Sequence, residues 1–160
     1  MKINIFSDSH RNLEGMRSVI AEEAPDYVFH LGDHDRDAEA LMQEYPQLPI
    51  VPIRGNCDGW SDSPETSVLQ LGGLRFFLCH GHSYGVKRGF LQAAYAAMEQ
   101  NADVLLFGHT HSPYYECMER FDHKTLYILN PGSCGCGCSP SYGRILLSPG
   151  AAPEIGYYEI

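Results

Sequence analysis

The apolar residues of this chain fall into short runs, each cut off by polar residues or glycine, with stretches of helical spacing between them. KINIF (2–6) reads as a strand. In RNLEGMRSVIAEE (11–23) the apolar positions 13, 16, 19 and 20 repeat at the helical period, and Pro25 sets the end. DYVFHL (26–31) is a second strand, DAEALMQEY (37–45) a helix stopped by Pro46, and IVPI (50–53) a third short strand. SVLQLGGLRFFLCH (67–80) places two apolar runs around Gly72-Gly73, which predicts a hairpin. GVKRGFLQAAYAAMEQ (85–100) predicts a helix and DVLLF (103–107) a strand. YYECMERFDHKTLYILN (114–130) reads as a second hairpin turning near Asp122-His123. YGRILLS (142–148) and GYYEI (156–160) make a final strand pair.

The first half alternates strand and helix, which implies parallel strands; the second half adds antiparallel hairpins. A mixed α/β sandwich accommodates both, in a single domain over residues 1–160. Composition changes little: 44% hydrophobic and 19% charged residues are ordinary for a globular chain. No apolar run approaches the roughly 18 residues of a membrane helix. MKINIFSDSH has neither the apolar region nor the cleavage site of a secretion signal, so a cytoplasmic protein is expected. The net charge is −9 and the only basic pair is Lys87-Arg88; without a basic stripe, a long nucleic acid is not the expected partner. Six cysteines in a chain without a signal are expected to be thiols. Three of them, Cys134, Cys136 and Cys138, lie in the unusual segment SCGCGCSP (133–140).

The chemistry lies just beyond the strand ends. KINIF runs into Asp8 and His10, DYVFHL into Asp33, IVPI into Asn56, LRFFLC into His80 and His82, and DVLLF into His109 and His111. In α/β sheets, sites form at the carboxyl ends of the strands. Convergence would bring Asp8, His10, Asp33, Asn56, His80, His109 and His111 to one place. Seven oxygen and nitrogen donors exceed one ordinary ion and suit two, about 3.5–4 Å apart and sharing a carboxylate. Imidazole mixed with carboxylate suits Mn, Fe, Zn or Ni better than Mg or Ca, and the lack of thiolates argues against structural zinc. Gly32, Gly55 and Gly108 each precede a proposed ligand, where glycine tolerates backbone angles that other residues resist.

Taken singly, these residues have plain explanations. Asp8 could cap the following helix, and Asp33 and Asn56 could be turn residues after glycine. His30, inside a strand, reads as a hydrogen-bonded core residue, His123 as part of a turn, and Arg54 as either a phosphate contact or a member of an ion pair. The recurrence of donors at five strand ends favours the metal reading over five coincidences.

D-x-H at 8–10, GD at 32–33, GN at 55–56, HGH at 80–82 and GHTH at 108–111 together resemble the calcineurin-like metallophosphoesterase superfamily, in the family's order. NPGS at 130–133 extends the likeness, and GNCD at 55–58 with HGHSYG at 80–85 resembles its small YfcE-type phosphodiesterase branch. The resemblance implies two facing mixed β-sheets flanked by helices, a four-layer sandwich. It implies one metal on Asp8, His10, Asp33 and His111 and another on Asp33, Asn56, His80 and His109, with Asp33 bridging. It implies two divalent ions, Mn2+ first, and hydrolysis of a small phosphodiester or phosphate ester by hydroxide held between them. Homo-oligomers occur among such relatives. Many members carry a general-acid histidine after Gly-Asn, where this chain has Cys57 followed by Asp58. The catalytic candidates are therefore Cys57, His82 and Asp58, with His34 a further proton donor and Asp58 expected to orient a neighbour. A thiol of pKa about 8.5 replaces imidazolium poorly, so acidic, aryl leaving groups are expected. The alternatives are a scaffold or protein-interaction module, as in a retromer subunit of this fold, and a redox or metal sensor built on the Cys-Gly segment.

Overall fold

The computed structural model describes residues 1–160 except Cys136 and Cys138. Ten strands form two five-stranded sheets. The first sheet contains β1 (Lys2–Phe6), β2 (Tyr27–His30), β3 (Ile50–Pro52), β9 (Ser141–Leu146) and β10 (Glu154–Glu159), in the order β10-β9-β1-β2-β3. The second contains β4 (Thr66–Leu71), β5 (Leu74–Cys79), β6 (Val104–Leu106), β7 (Tyr114–Glu119) and β8 (Thr125–Asn130), in the order β4-β5-β6-β8-β7.

β1, β2 and β3 are parallel, and β9 and β10 close that sheet antiparallel. The two hairpins flank the second sheet. At its centre β5 pairs parallel with β6 and β6 with β8, a parallel core that the hairpin pattern alone did not reveal. Both sheets therefore aim three parallel strands in a common direction, and their carboxyl-end loops carry the polar motifs.

The sheets pack face to face through Ile3, Ile5, Phe29 and Leu31 on one side and Phe76, Leu78, Val104 and Leu106 on the other. All eight are fully buried, and each such side chain contributes about 1.5–3 kcal/mol of transfer free energy. Helices α1 (Leu13–Glu23) and α2 (Asp35–Glu44) cover the outer face of the first sheet, and α3 (Leu91–Glu99) that of the second, giving four layers. In α1 the buried Met16, Val19 and Ile20 follow helical spacing; Ala24 then turns left-handed at φ 44° and donates its N–H to the Ile20 carbonyl before Pro25.

One element differs from the sequence expectation. The helix expected over 85–100 begins at Leu91, and residues 82–88 form two single 3-10 turns. Gly85 and Gly89 take φ of 61° and 138°, which no α-helix continues through. Among the described residues, no helix is long and apolar enough to cross a membrane.

Candidate metal centre

Backbone contacts draw the loops together. The Asp8 N–H donates to the Gly32 carbonyl, Gly108 N–H to His80 O, and Cys134 N–H to Ser7 O. Asp8, His10, Asp33 and His111 each bring one donor atom within 4.8 Å of one another, and Asp33, His80 and His109 form a second such group. The Asn56 Oδ1 lies 3.2 Å from His80 Nε2, beside that second group. All seven residues singled out in the sequence thus meet at one edge of the sandwich, with Asp33 common to both groups. His109 and His111, two residues apart, face different groups.

The chain bends hard to achieve this. Asp8, His10, Asp33, His109 and His111 all have positive φ, between 45° and 68°. Non-glycine residues rarely adopt this region, although Asp, Asn and His tolerate it best, and such strain concentrates at functional sites. The expectation for the glycines is corrected in part. Gly32 has φ 97°, but Gly55 and Gly108 do not take positive φ. They are required by space: a methyl group on Gly55 would strike the Asp33 carboxylate, and one on Gly108 would strike the Ser7 hydroxyl and meet Asp8.

Three of the donors, Asp8, Asp33 and His80, are held by neighbours. The Asp8 Oδ2 accepts from Ser7 Oγ at 2.6 Å and from His109 N–H at 3.1 Å. His80 Nδ1 lies 2.7 Å from the Leu31 carbonyl, so it carries the proton there and turns Nε2 toward the cluster. The Cys57 N–H donates to Asp33 Oδ1 at 2.9 Å. Asn130 spans the Gly108 carbonyl and the Thr110 hydroxyl, and Ser133 Oγ donates to the Asp8 carbonyl, so NPGS braces the site from β8.

The electrostatics favour a cation. The Asp8 Oδ1 is buried and accepts no hydrogen bond, although His111 Nε2 is 3.1 Å away. An orphaned carboxylate oxygen is costly unless a positive charge reaches it. Burial alone would raise the Asp33 carboxyl, but the His80 contact at 3.4 Å and the Cys57 N–H outweigh it and hold Asp33 well below the usual carboxylate range. Burial lowers His80, yet Asp33 and Asp8 reverse the balance and its basicity is raised. His109, 3.1 Å from His80 Nε2, is pushed down to about 4 by burial and by the charge on His80. Two imidazole nitrogens and a carboxylate with this disposition fit a divalent ion, and the thiolate-free donor set fits Mn, Fe, Zn or Ni.

The catalytic candidates occupy three different environments. The Asp58 carboxylate accepts the N–H groups of Asp33 (2.9 Å), His34 (2.7 Å), Asp35 (3.2 Å) and Gly55 (2.7 Å). It is an anchor that ties the β3 loop to the β2 loop. Cys57 is exposed, and partial burial of its sulfur with the nearby Asp33 charge pushes the thiol up to about 11. The His82 ring lies 5.5 Å from that of His80 and 6.1 Å from that of His109; burial and the His80 charge lower its basicity, and its Nδ1 is buried without a partner. His34, which precedes α2 at φ 72°, sets its ring 5.2 Å from that of His10.

Several residues with plain explanations take distinct positions. Asp8 does not cap α1; Asn12 holds that position, without a side-chain cap bond. His30 is fully buried and meets Ser9 Oγ at 3.0 Å. Arg54 pairs with Glu65 at 2.8 Å, and His123 sits in the β7–β8 turn. Cys134 is buried with its sulfur against the Ser7 carbonyl, and burial raises its thiol further from ionisation. Cys136 and Cys138 lie outside the described residues, so the Cys-Gly segment is not assigned a role.

Sequence reasoning missed Ser7, Ser9 and Asp37. Ser9 Oγ donates to Asp37 at 2.7 Å, and the same carboxylate accepts the Arg11 N–H at 2.8 Å. Ser7 and Ser9 alternate with the ligands in SDSH, which is a signal; Asp37 reads only as an acid in the first turn of a helix.

The family model of the calcineurin-like phosphoesterase superfamily domain matches residues 1–147. The phosphodiesterase YfcE of Escherichia coli K12 is 30% identical over 172 residues, covering 91% of this chain and 87% of YfcE. A crystal structure of a predicted phosphoesterase from Streptococcus pneumoniae TIGR4 superposes with a TM-score of 0.75 at 25% identity, over 99% of this chain and 97% of that one. A doubly substituted Vps29 of Entamoeba histolytica gives a TM-score of 0.74 at 16% identity, over 100% and 99% of the two chains, which is a likeness of fold. With a family match spanning all five motifs and β1 through β9, the chain belongs to the calcineurin-like phosphoesterase superfamily.

Proposed function

We propose that the protein is a dinuclear metal-dependent phosphodiesterase acting on small phosphodiesters. The observation that carries this reading is the sharing of Asp33 between two groups of donors at one edge of the sandwich, with Asn56 beside the second. Asp8, His10, Asp33 and His111 would hold one ion; Asp33, Asn56, His80 and His109 would hold the other. Two such ions supply Lewis acidity and a water activated near neutral pH. The chain does the rest. Ser7 and the His109 N–H fix the Asp8 carboxylate, the Leu31 carbonyl fixes the His80 tautomer, and Asp58 fixes the loop that presents Asn56 and Cys57.

With a thiol rather than an imidazolium after Asn56, proton delivery to the leaving oxygen is weak, and substrates with acidic leaving groups are preferred. His82, beside His80 and His109, and His34, beside His10, are the alternative donors. Mn2+ is the ion that the family resemblance implies first, and the mixed imidazole and carboxylate donors suit Fe, Ni and Zn as well.

A scaffold role is the second reading, since Vps29 shares the fold; at 16% identity that likeness brings no partner with it. The purified protein, supplied with Mn2+, should hydrolyse bis(4-nitrophenyl) phosphate, bind two ions per chain, and lose activity to a chelator. Two ions bound with no hydrolysis of any phosphodiester would favour the scaffold.

A further inference from the structure

Trp60 is the chain's sole tryptophan, and it is 98% exposed. An indole bears a large flat apolar face, and full exposure leaves that face open for stacking. Trp60 lines a cleft of about 410 Å3 together with Arg11, His34, Arg36, Cys57 and Asp58. This volume falls in the range of small-ligand sites. The cleft adjoins the metal centre: His34 packs its ring against His10, and Cys57 donates its N–H to Asp33.

The charges around it are distributed unequally. Asp58 is occupied by four backbone N–H groups, Asp37 by Ser9 and the Arg11 N–H, and Asp35 by the Ser61 hydroxyl. Among the described residues, the arginine ion pairs involve Arg17, Arg54, Arg120 and Arg144, and neither Arg11 nor Arg36 takes part. The cleft thus offers an open aromatic face and two uncommitted guanidinium groups, with its carboxylates turned to structural work.

Resting on the phosphodiesterase reading, we infer that this cleft is the subsite for the organic arm of the substrate, and that it takes a nucleobase stacked on Trp60 while Arg11 and Arg36 meet the acceptor oxygens of the arm. Every base has a flat π face, so stacking selects nucleotide diesters without selecting one base. Trp60 is then a specificity-determining residue for the family's hydrolysis.

Two esters sharing one leaving group isolate the effect: thymidine 5′-(4-nitrophenyl phosphate) and methyl 4-nitrophenyl phosphate. In wild type the thymidine ester should have the lower KM. In Trp60→Ala the KM advantage of the thymidine ester over the methyl ester should shrink about tenfold, and Trp60→Phe should recover most of it. An unchanged ratio in Trp60→Ala overturns the inference. A second readout needs no turnover. In the Zn2+-loaded protein, thymidine 5′-monophosphate should quench the single tryptophan saturably, and inorganic phosphate at equal concentration should not. No nucleotide-specific quenching overturns the inference, as does fluorescence that responds to protein concentration alone, which would make Trp60 a self-association contact. Nucleotide quenching in a protein that hydrolyses neither ester would support the subsite and count against the phosphodiesterase reading.

Discussion

His80 and His111 face the same small volume from opposite situations: the His80 side chain is 0% exposed, and that of His111 is 40% exposed. His80 closes the end of β5, its Nδ1 bonded to Leu31 and its Nε2 directed at Asp33. His111 stands on an exposed loop, with His10 Nε2 3.5 Å away and Asp8 Oδ1 3.1 Å away. The imidazoles of the second group, buried His80 and half-buried His109, are therefore more shielded than half-buried His10 and exposed His111 of the first, although Asn56 of the second group is itself exposed. A ligand whose rotamer is already fixed loses less entropy on binding an ion, so the group with the more shielded imidazoles should bind first and release last.

The strongest test of that contrast removes what the groups share. Asp33→Asn should lower phosphodiester turnover at least about 1000-fold, by analogy with the loss of a catalytic metal's charge stabilisation, and should reduce bound metal below two ions per chain, read by elemental analysis. Separate substitutions should then split the groups. His80→Gln should abolish activity at every Mn2+ concentration, whereas His111→Gln should lose about 10–100-fold at low Mn2+ and recover much of it when Mn2+ is raised. Equal rescue of the two would erase the distinction.

Asp58 sharpens the comparison from outside the donor set. Asp58→Ala strands four backbone N–H groups and frees the loop bearing Asn56 and Gly55. The expected result is about 2–3 kcal/mol lower stability by denaturant unfolding, with weaker binding at the Asn56 side of the centre. Metal held as proposed would depend on pH through the four imidazoles, which would have to shed protons to bind. Affinity and activity should fall together below about pH 6, and activity that stayed flat to pH 4 would exclude histidine ligation.

The smallest effect is a control remote from both groups. The Glu23 carboxyl, held by Lys2, Tyr142 and Arg144 against some burial, is lowered to about 2. A folded-state pKa below the unfolded value of 4.5 means stability present in full above about pH 5 and lost as the pH falls toward 2. Glu23→Gln should cost about 2 kcal/mol at pH 7 in thermal or urea unfolding, with the difference vanishing near pH 2 and activity per folded molecule unchanged.

The seven donor positions were legible because each comes after an apolar run, and a strand's end is where the chain must leave the sheet. The helix starting at 91 rather than 85 was not legible in the same way, since Ala- and Leu-rich spacing hides the positive φ that Gly85 and Gly89 impose. Asp58 shows the boundary well. Its sequence neighbours identify GNCD, but nothing local says that its partners are the N–H groups of 33, 34 and 35, contributed by the preceding β-α unit.

What the sequence determined by itself was the periodic order of strands and helices, the layer architecture and the candidate metal-binding side chains, because these depend on local hydrophobic spacing and on residue chemistry. What only the tertiary structure decided was which of the donors is shielded from water, that Gly55 and Gly108 make room for carboxylate and hydroxyl groups, and that Trp60 opens beside the centre. Those facts depend on contacts between residues far apart in the chain, and they exist only once two sheets have packed their apolar faces and brought the strand ends to one edge.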